Sequence, residues 1–152
     1  MGAPVEFWFD FISPYGYLAS ARIEALAQRY GRAVRWRPLL LGVTVLKVMG
    51  LKALPETPLK QDYVALDPPR LARLLGVPFR PHGRKGVNSL AAARAFLVLE
   101  RGDPALAVRF AHRIYERLWV RGLDITPADA VLEEATAAGA DAVALREAIG
   151  GE

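Results

Sequence analysis

The chain has 152 residues, of which 53% are hydrophobic and 24% charged, and a formal net charge of +4. This composition excludes a disordered chain and provides one domain with a real core. Cysteine is absent, which excludes disulfides, thiolate nucleophiles, cysteine-ligated metals and dithiol redox chemistry.

Residues 4–12, PVEFWFDFI, form a nearly continuous apolar and aromatic run that predicts a buried central strand. Ser13-Pro14 follows, a favoured N-cap and a favoured first helical residue, and predicts a helix that runs to Tyr30 and stops at Gly31. Residues 33–40, AVRWRPLL, alternate Val34 and Trp36 with Arg35 and Arg37 and predict a second strand. Strand, helix and strand within forty residues make a βαβ unit, so the two strands should be parallel. Beyond Gly42 the pattern becomes helical: a short helix over 43–50, a loop over 51–58, and a helix over 59–75 interrupted or kinked by Pro68-Pro69. An irregular basic loop over 77–87 leads to helices near 88–101, 104–121, 127–138 and 141–149. Two parallel strands cannot stand as a sheet alone, so either further strands come from elsewhere or the chain is part of a longer architecture.

Charge is unevenly spread. Residues 70–121 hold eleven Lys/Arg against three acids (Glu100, Asp103, Glu116), a local balance of +8 that leaves −4 for the remainder. Such a stretch is either a solvated helix face or a seat for an anion. The loop residues Arg80, His82, Arg84 and Lys85 are the candidates for a carboxylate or phosphate. No nucleic-acid partner is expected, because the arginines lack interleaved aromatics and match no recognition motif. With His82 and His112 as the only histidines, no metal site is expected either. The N-terminus has no basic segment followed by a long apolar one, and no run approaches a membrane span. The expectation is a cytoplasmic protein with no membrane partner.

Ser13 is the sharpest chemical feature. It stands where a buried strand ends and a helix begins, the edge at which open α/β sheets bind ligands. Free N–H groups and the positive end of the helix dipole favour an anion there, and the hydroxyl can donate to it. The alternative is a hydroxyl that only caps its helix. Among other residues, Asp10 is expected in an ion pair, His112 in a structural role, and Trp36, Trp119 and one of Tyr15 and Tyr17 in the core.

The segment FWFDFISPYGYLAS resembles the opening of the thioredoxin-like superfamily, with serine in place of the first cysteine of Cys-Pro-x-Cys. With its Phe-Asp-Phe lead-in it resembles the kappa-class glutathione transferases and, more closely, the 2-hydroxychromene-2-carboxylate isomerases. Gly50, Pro58, Lys60 and Tyr63 keep that family's spacing, as do Asp67, Arg70, Ala72 and Gly76-Val77-Pro78. Asn88-Ser89-Leu90, Arg94, Trp119 and Leu123-Asp124-Ile125 continue the match.

The resemblance implies an α/β, thioredoxin-like fold with an inserted all-helical domain. The βαβ portion would occupy residues 1–42, the insertion 43–126, and helices returning to the thioredoxin-like part 127–152. It implies glutathione as cofactor, with Ser13 as catalytic residue holding the thiolate and Ser13, Pro14, Tyr15 and Lys60 as binding residues. The implied reaction is reversible addition of the thiolate to an aromatic carboxylate substrate, ending in isomerisation, by a homodimer. Three positions depart from the family: Leu51 replaces a glutathione-contacting asparagine, Gly16 replaces a frequent second serine, and the cis-proline, β-hairpin and final helix are missing from this sequence. These departures raise the alternative of a non-catalytic thioredoxin-like binding or assembly protein.

Overall fold

Two parallel strands and the helix that links them begin a computed structural model of the chain, which describes residues 2–81, 83 and 85–150. Strand β1 (Val5–Phe9) pairs with β2 (Val34–Pro38) from Val5↔Val34 to Phe9↔Pro38, and helix α1 (Pro14–Arg29) forms the crossover. The βαβ expectation therefore holds, with each strand shorter at both ends than its apolar run. Alternation decides the faces: Phe7, Phe9 and Trp36 are buried, whereas Trp8 is 59% exposed. The prediction of a strand buried on both faces is thus corrected. Among the described residues β1 has one strand neighbour, and its outer face carries Glu6 and Trp8 to solvent.

After β2 the chain makes a seven-residue π-helical stretch, Gly42–Val48, in place of the expected α-helix, and then a 3₁₀ turn at Leu54–Glu56. Helix α2 (Lys60–Leu75) runs without interruption through Pro68 and Pro69. The expected break does not occur; Pro68 is fully buried and the helix continues on its far side. Helices α3 (Leu90–Gly102) and α4 (Pro104–Trp119) form an antiparallel pair across the turn at Asp103, whose carboxylate caps α4 by accepting from the Ala105 and Leu106 N–H groups at 2.9 and 3.1 Å. Helices α5 (Ala128–Ala138) and α6 (Ala142–Gly150) pack on α3 and on each other, and α5 packs also on α4.

Aromatic rings join the sheet to the helices. Phe9 sits edge-on to Phe11, Trp36 and Phe96, with ring centroids 5.1, 5.2 and 5.3 Å away, the perpendicular geometry that ring quadrupoles favour. Trp36 and Trp119 are core residues as expected, and Tyr17 is the buried member of its tyrosine pair. No described helix is long and apolar enough to cross a membrane. No group of three or more metal-ligating side chains occurs among the described residues.

Within the arginine-rich middle Arg70, Arg73, Arg80, Lys85, Arg101 and Arg109 are exposed, while three arginines turn inward. Arg113, Arg117 and Arg121 stand four residues apart on α4 and its end, and all three converge on the buried carboxylate of Glu134 in α5. Arg117 also holds Glu133 at 2.8 Å and the Asp124 carbonyl at 2.9 Å. Two acids from outside the stretch, Glu133 and Glu134, therefore offset part of the local positive charge.

Candidate active site

The turn from β1 into α1 is built on Asp10. Its carboxylate is buried and accepts from the Ile12 N–H at 3.1 Å, the Ser89 hydroxyl at 2.6 Å and the Leu41 N–H at 2.7 Å. Its carbonyl accepts from the Ser13 N–H at 3.0 Å and the Tyr115 hydroxyl at 3.3 Å. The expected ion pair is corrected here: neutral donors from three segments surround this carboxylate, and one acid ties together the end of β1, the exit from β2 and the start of α3. Burial, and then the charge of Asp10, push the Tyr115 phenol well above its ordinary range, so it stays a proton donor.

Ser13 caps α1. Its backbone is extended, and its Oγ accepts from the Gly16 N–H at 3.1 Å. A hydroxyl accepting in this way keeps its own proton for another partner, and the side chain is half-buried at the strand–helix edge. Pro14 follows at the first helical position, where its missing N–H costs nothing. Gly16 has a steric cause: a Cβ there would stand 2.9 Å from the Tyr115 hydroxyl and 3.2 Å from the Asp10 carbonyl. A second serine would collide with the residues that hold the turn.

Tyr15 points from α1 to α2, where its hydroxyl donates to Asp67 Oδ2 at 3.0 Å. The other Asp67 oxygen accepts from Arg70 Nε at 3.1 Å and Nη2 at 2.5 Å. The Arg70 hydrogen bond holds the Asp67 carboxyl below its ordinary value, against the raising effect of burial, and the Tyr15 bond acts in the same direction. Burial, followed by the Asp67 hydrogen bond and charge, pushes the Tyr15 phenol up to about 12. Lys60 begins α2 and is exposed. Lys60, Tyr63, Asp67 and Arg70 are spaced as one helical stripe, and Lys60 lies about 10 Å along the axis from Asp67.

The structure thus places Ser13, Pro14 and Tyr15 in one helix start and joins that start to α2 through Asp67. Lys60 stands two turns from this junction. Leu51 follows Gly50, whose φ is +64°, and its side chain is exposed. Arg80 and Lys85 are exposed, while His82 and Arg84 lie outside the described residues. His112 is structural as expected: it meets Glu24 at 3.1 Å and packs edge-on to Trp36. Sequence reasoning gave Asp67 and Arg70 no role and missed Tyr115. The stripe spacing in α2 could have found the first two, whereas nothing local marks a tyrosine whose partner is 105 residues away.

The family model described as a DSBA-like thioredoxin domain matches residues 4–152. Glutathione S-transferase kappa 1 of Caenorhabditis elegans is 30% identical over 123 residues, covering 77% of this chain and 54% of that protein. The 2-hydroxychromene-2-carboxylate isomerase of Pseudomonas putida is 29% identical over 120 residues, covering 78% of this chain and 57% of the isomerase. A solved structure of 2-hydroxychromene-2-carboxylate isomerase superposes with a TM-score of 0.82 at 25% identity, covering 99% of this chain and 72% of that one. The chain therefore spans little more than half the length of these curated relatives.

Proposed function

The chain belongs to the DsbA-like thioredoxin domain family, and we propose that within it this protein is a glutathione-dependent isomerase of the 2-hydroxychromene-2-carboxylate type. The observation that carries the reading is Ser13: its oxygen is engaged by the Gly16 N–H, its proton is uncommitted to that bond, and it stands at the N-terminus of a sixteen-residue helix. A hydroxyl donor and a helix dipole both favour a thiolate over a thiol whose free pKa is near 8.5. The thiolate would add to a conjugated aromatic carboxylate, permit rotation or ring opening, and depart unchanged. Because the chain has no cysteine, the nucleophile in this scheme is the cofactor's own sulfur.

The stripe on α2 suits the rest of the cofactor. Lys60 would meet a terminal carboxylate, and Tyr15 with Pro14 would flank the central, sulfur-bearing residue. The relatives named above are enzymes acting on small molecules or glutathione by their names, which supports a small-molecule partner; a cytoplasmic setting belongs to the same proposal.

Calorimetric titration of glutathione into the wild type, Ser13→Ala and Ser13→Asp tests the reading. Aspartate is as good an N-cap as serine and suits the dipole, so Ser13→Asp should keep its melting temperature. Its negative charge would nonetheless repel a thiolate. Affinity should fall about tenfold or more in both variants, equivalent to about 1.4 kcal/mol. Unchanged affinity in Ser13→Asp would reduce Ser13 to a cap. One observation favours a second reading, a non-catalytic thioredoxin-like binding protein: Leu51 presents an exposed apolar side chain where the isomerases carry a polar one. Absence of any binding heat in the wild type would select that reading.

A further inference from the structure

Ser13 is held at two atoms. Its N–H donates to the Asp10 carbonyl at 3.0 Å, and its Oγ accepts from the Gly16 N–H at 3.1 Å. Tyr115 reaches both of these partners. Its hydroxyl donates to the same Asp10 carbonyl at 3.3 Å. On its other side it lies against Gly16, where a Cβ would stand 2.9 Å from it. One phenol from α4 thus touches the acceptor of the Ser13 backbone and the residue that donates to the Ser13 side chain. Tyr115 is fully buried, and its ring packs against Phe9, Phe11 and Tyr17 with centroids 6.1, 5.2 and 5.8 Å away. Close packing of this kind holds a ring in one place, so the hydroxyl is delivered to one point.

We infer that Tyr115 is a positioning residue for Ser13: its hydroxyl braces the Asp10 carbonyl and Gly16 from α4, so that the Gly16 N–H engages the Ser13 Oγ and the Ser13 proton is left for a bound sulfur. The inference rests on the thiolate reading of Ser13 given above. The Asp10 carboxylate takes no part in the brace, because it is spent on Ile12, Leu41 and Ser89. The carbonyl is therefore the link between α4 and the Ser13 turn. If the phenol is lost, that carbonyl still accepts from the Ser13 N–H, so no buried acceptor is orphaned. The aromatic packing survives as well when phenylalanine takes its place. What the hydroxyl alone contributes is the placing of the two groups between which Ser13 is strung. Displacements of this size at a reacting group alter chemistry more than stability.

Tyr115→Phe keeps the ring and removes the brace, and two readouts follow Ser13 itself. In the glutathione complex, the ultraviolet absorbance of the thiolate titrated against pH should show the bound thiol's pKa raised by about one unit, a tenfold weaker preference for the thiolate. With or without glutathione, the Gly16 amide should exchange with solvent about tenfold faster. Val131→Ala trims a fully buried side chain of α5 and lowers the melting temperature through a cavity, yet it should move neither readout. Gly16→Ala presses on the same hydroxyl from α1. It should raise the thiol pKa by a similar amount in the wild type and add little in Tyr115→Phe, where no hydroxyl remains to be displaced. A thiol pKa or a Gly16 amide unmoved in Tyr115→Phe overturns the inference. So does a Val131→Ala variant that moves both equally, or a Gly16→Ala effect that simply adds to that of Tyr115→Phe. A wild type that binds no glutathione defeats the thiolate reading, and the Gly16 amide then decides by itself whether Tyr115 braces the turn. Should Tyr115→Phe fail to fold, Gly16→Ala carries both readouts.

Discussion

Glu134, between α4 and α5, and Asp67, on α2 beside the first turn of α1, are carboxylates only 1% and 5% exposed, and both pair with arginine. Glu134 is gripped by three guanidinium groups, and Arg117, which bridges it to Glu133, is itself largely buried. Asp67 has one arginine, whose side chain is 58% exposed, and neutral phenols, Tyr15 at 3.0 Å with Tyr63 acting in the same direction. The first arrangement is redundant: any one cation can shift and two remain. The second has a single cation, and that cation faces solvent. Redundancy marks the helical framework. The sparse arrangement marks the edge where Ser13 stands, and it leaves a solvent-facing guanidinium beside the candidate site. Asp10 shows a third mode, a buried acid held by neutral donors alone.

Removing the one acid that the three arginines share should cost most. Glu134→Ala strands three arginines around a void, and urea unfolding should show a loss of about 3–5 kcal/mol. Asp10→Ala comes next: it leaves the Leu41 and Ile12 N–H groups and the Ser89 hydroxyl without their acceptor, for a loss of about 2–4 kcal/mol in the same assay. That variant should also blunt glutathione binding, since three segments at the site share Asp10. Tyr15→Phe should cost only about 1 kcal/mol, but carboxyl-detected NMR should show Asp67 titrating at higher pH, because one of the bonds that lower it is gone. The smallest effect is the pH dependence. Glu134 is lowered in the fold, its hydrogen bonds from Arg121 and Arg117 outweighing burial. Its stabilisation is therefore complete above its ordinary value of 4.5 and is lost as pH falls through the lowered one. Asp67 has the same sign about an ordinary value of 3.8. Urea midpoints taken from about pH 6 to about pH 3 should fall less steeply in Glu134→Gln than in the wild type.

The βαβ opening and the helices near Asp103 were legible because their signals are local: a Pro after a capping residue, an apolar run, a spacing of 3.6. Ser13 was legible for the same reason. Asp10 was misread as an ion-pair partner because its three donors come from Ile12, Leu41 and Ser89, which no periodicity brings together. Charge counted along a sequence ignores which acids the fold delivers: Glu133 and Glu134 reach Arg113, Arg117 and Arg121 from outside the counted window. Gly16 looked like a departure from a pattern and stands where a Cβ would press on the Tyr115 hydroxyl.

The two prolines inside α2 have a consequence in time rather than in shape. Neither Pro68 nor Pro69 can donate to the carbonyl four residues earlier, so the rungs to Val64 and Ala65 do not exist. The helix is continuous in outline, yet two of its successive internal ties are missing just before Arg70. Lys60 to Leu66 can therefore open without unwinding Arg70 to Leu75, as a separate cooperative unit. Hydrogen exchange should divide this single helix into an early and a late block. The early block carries Lys60 and Tyr63, and the late block Arg70.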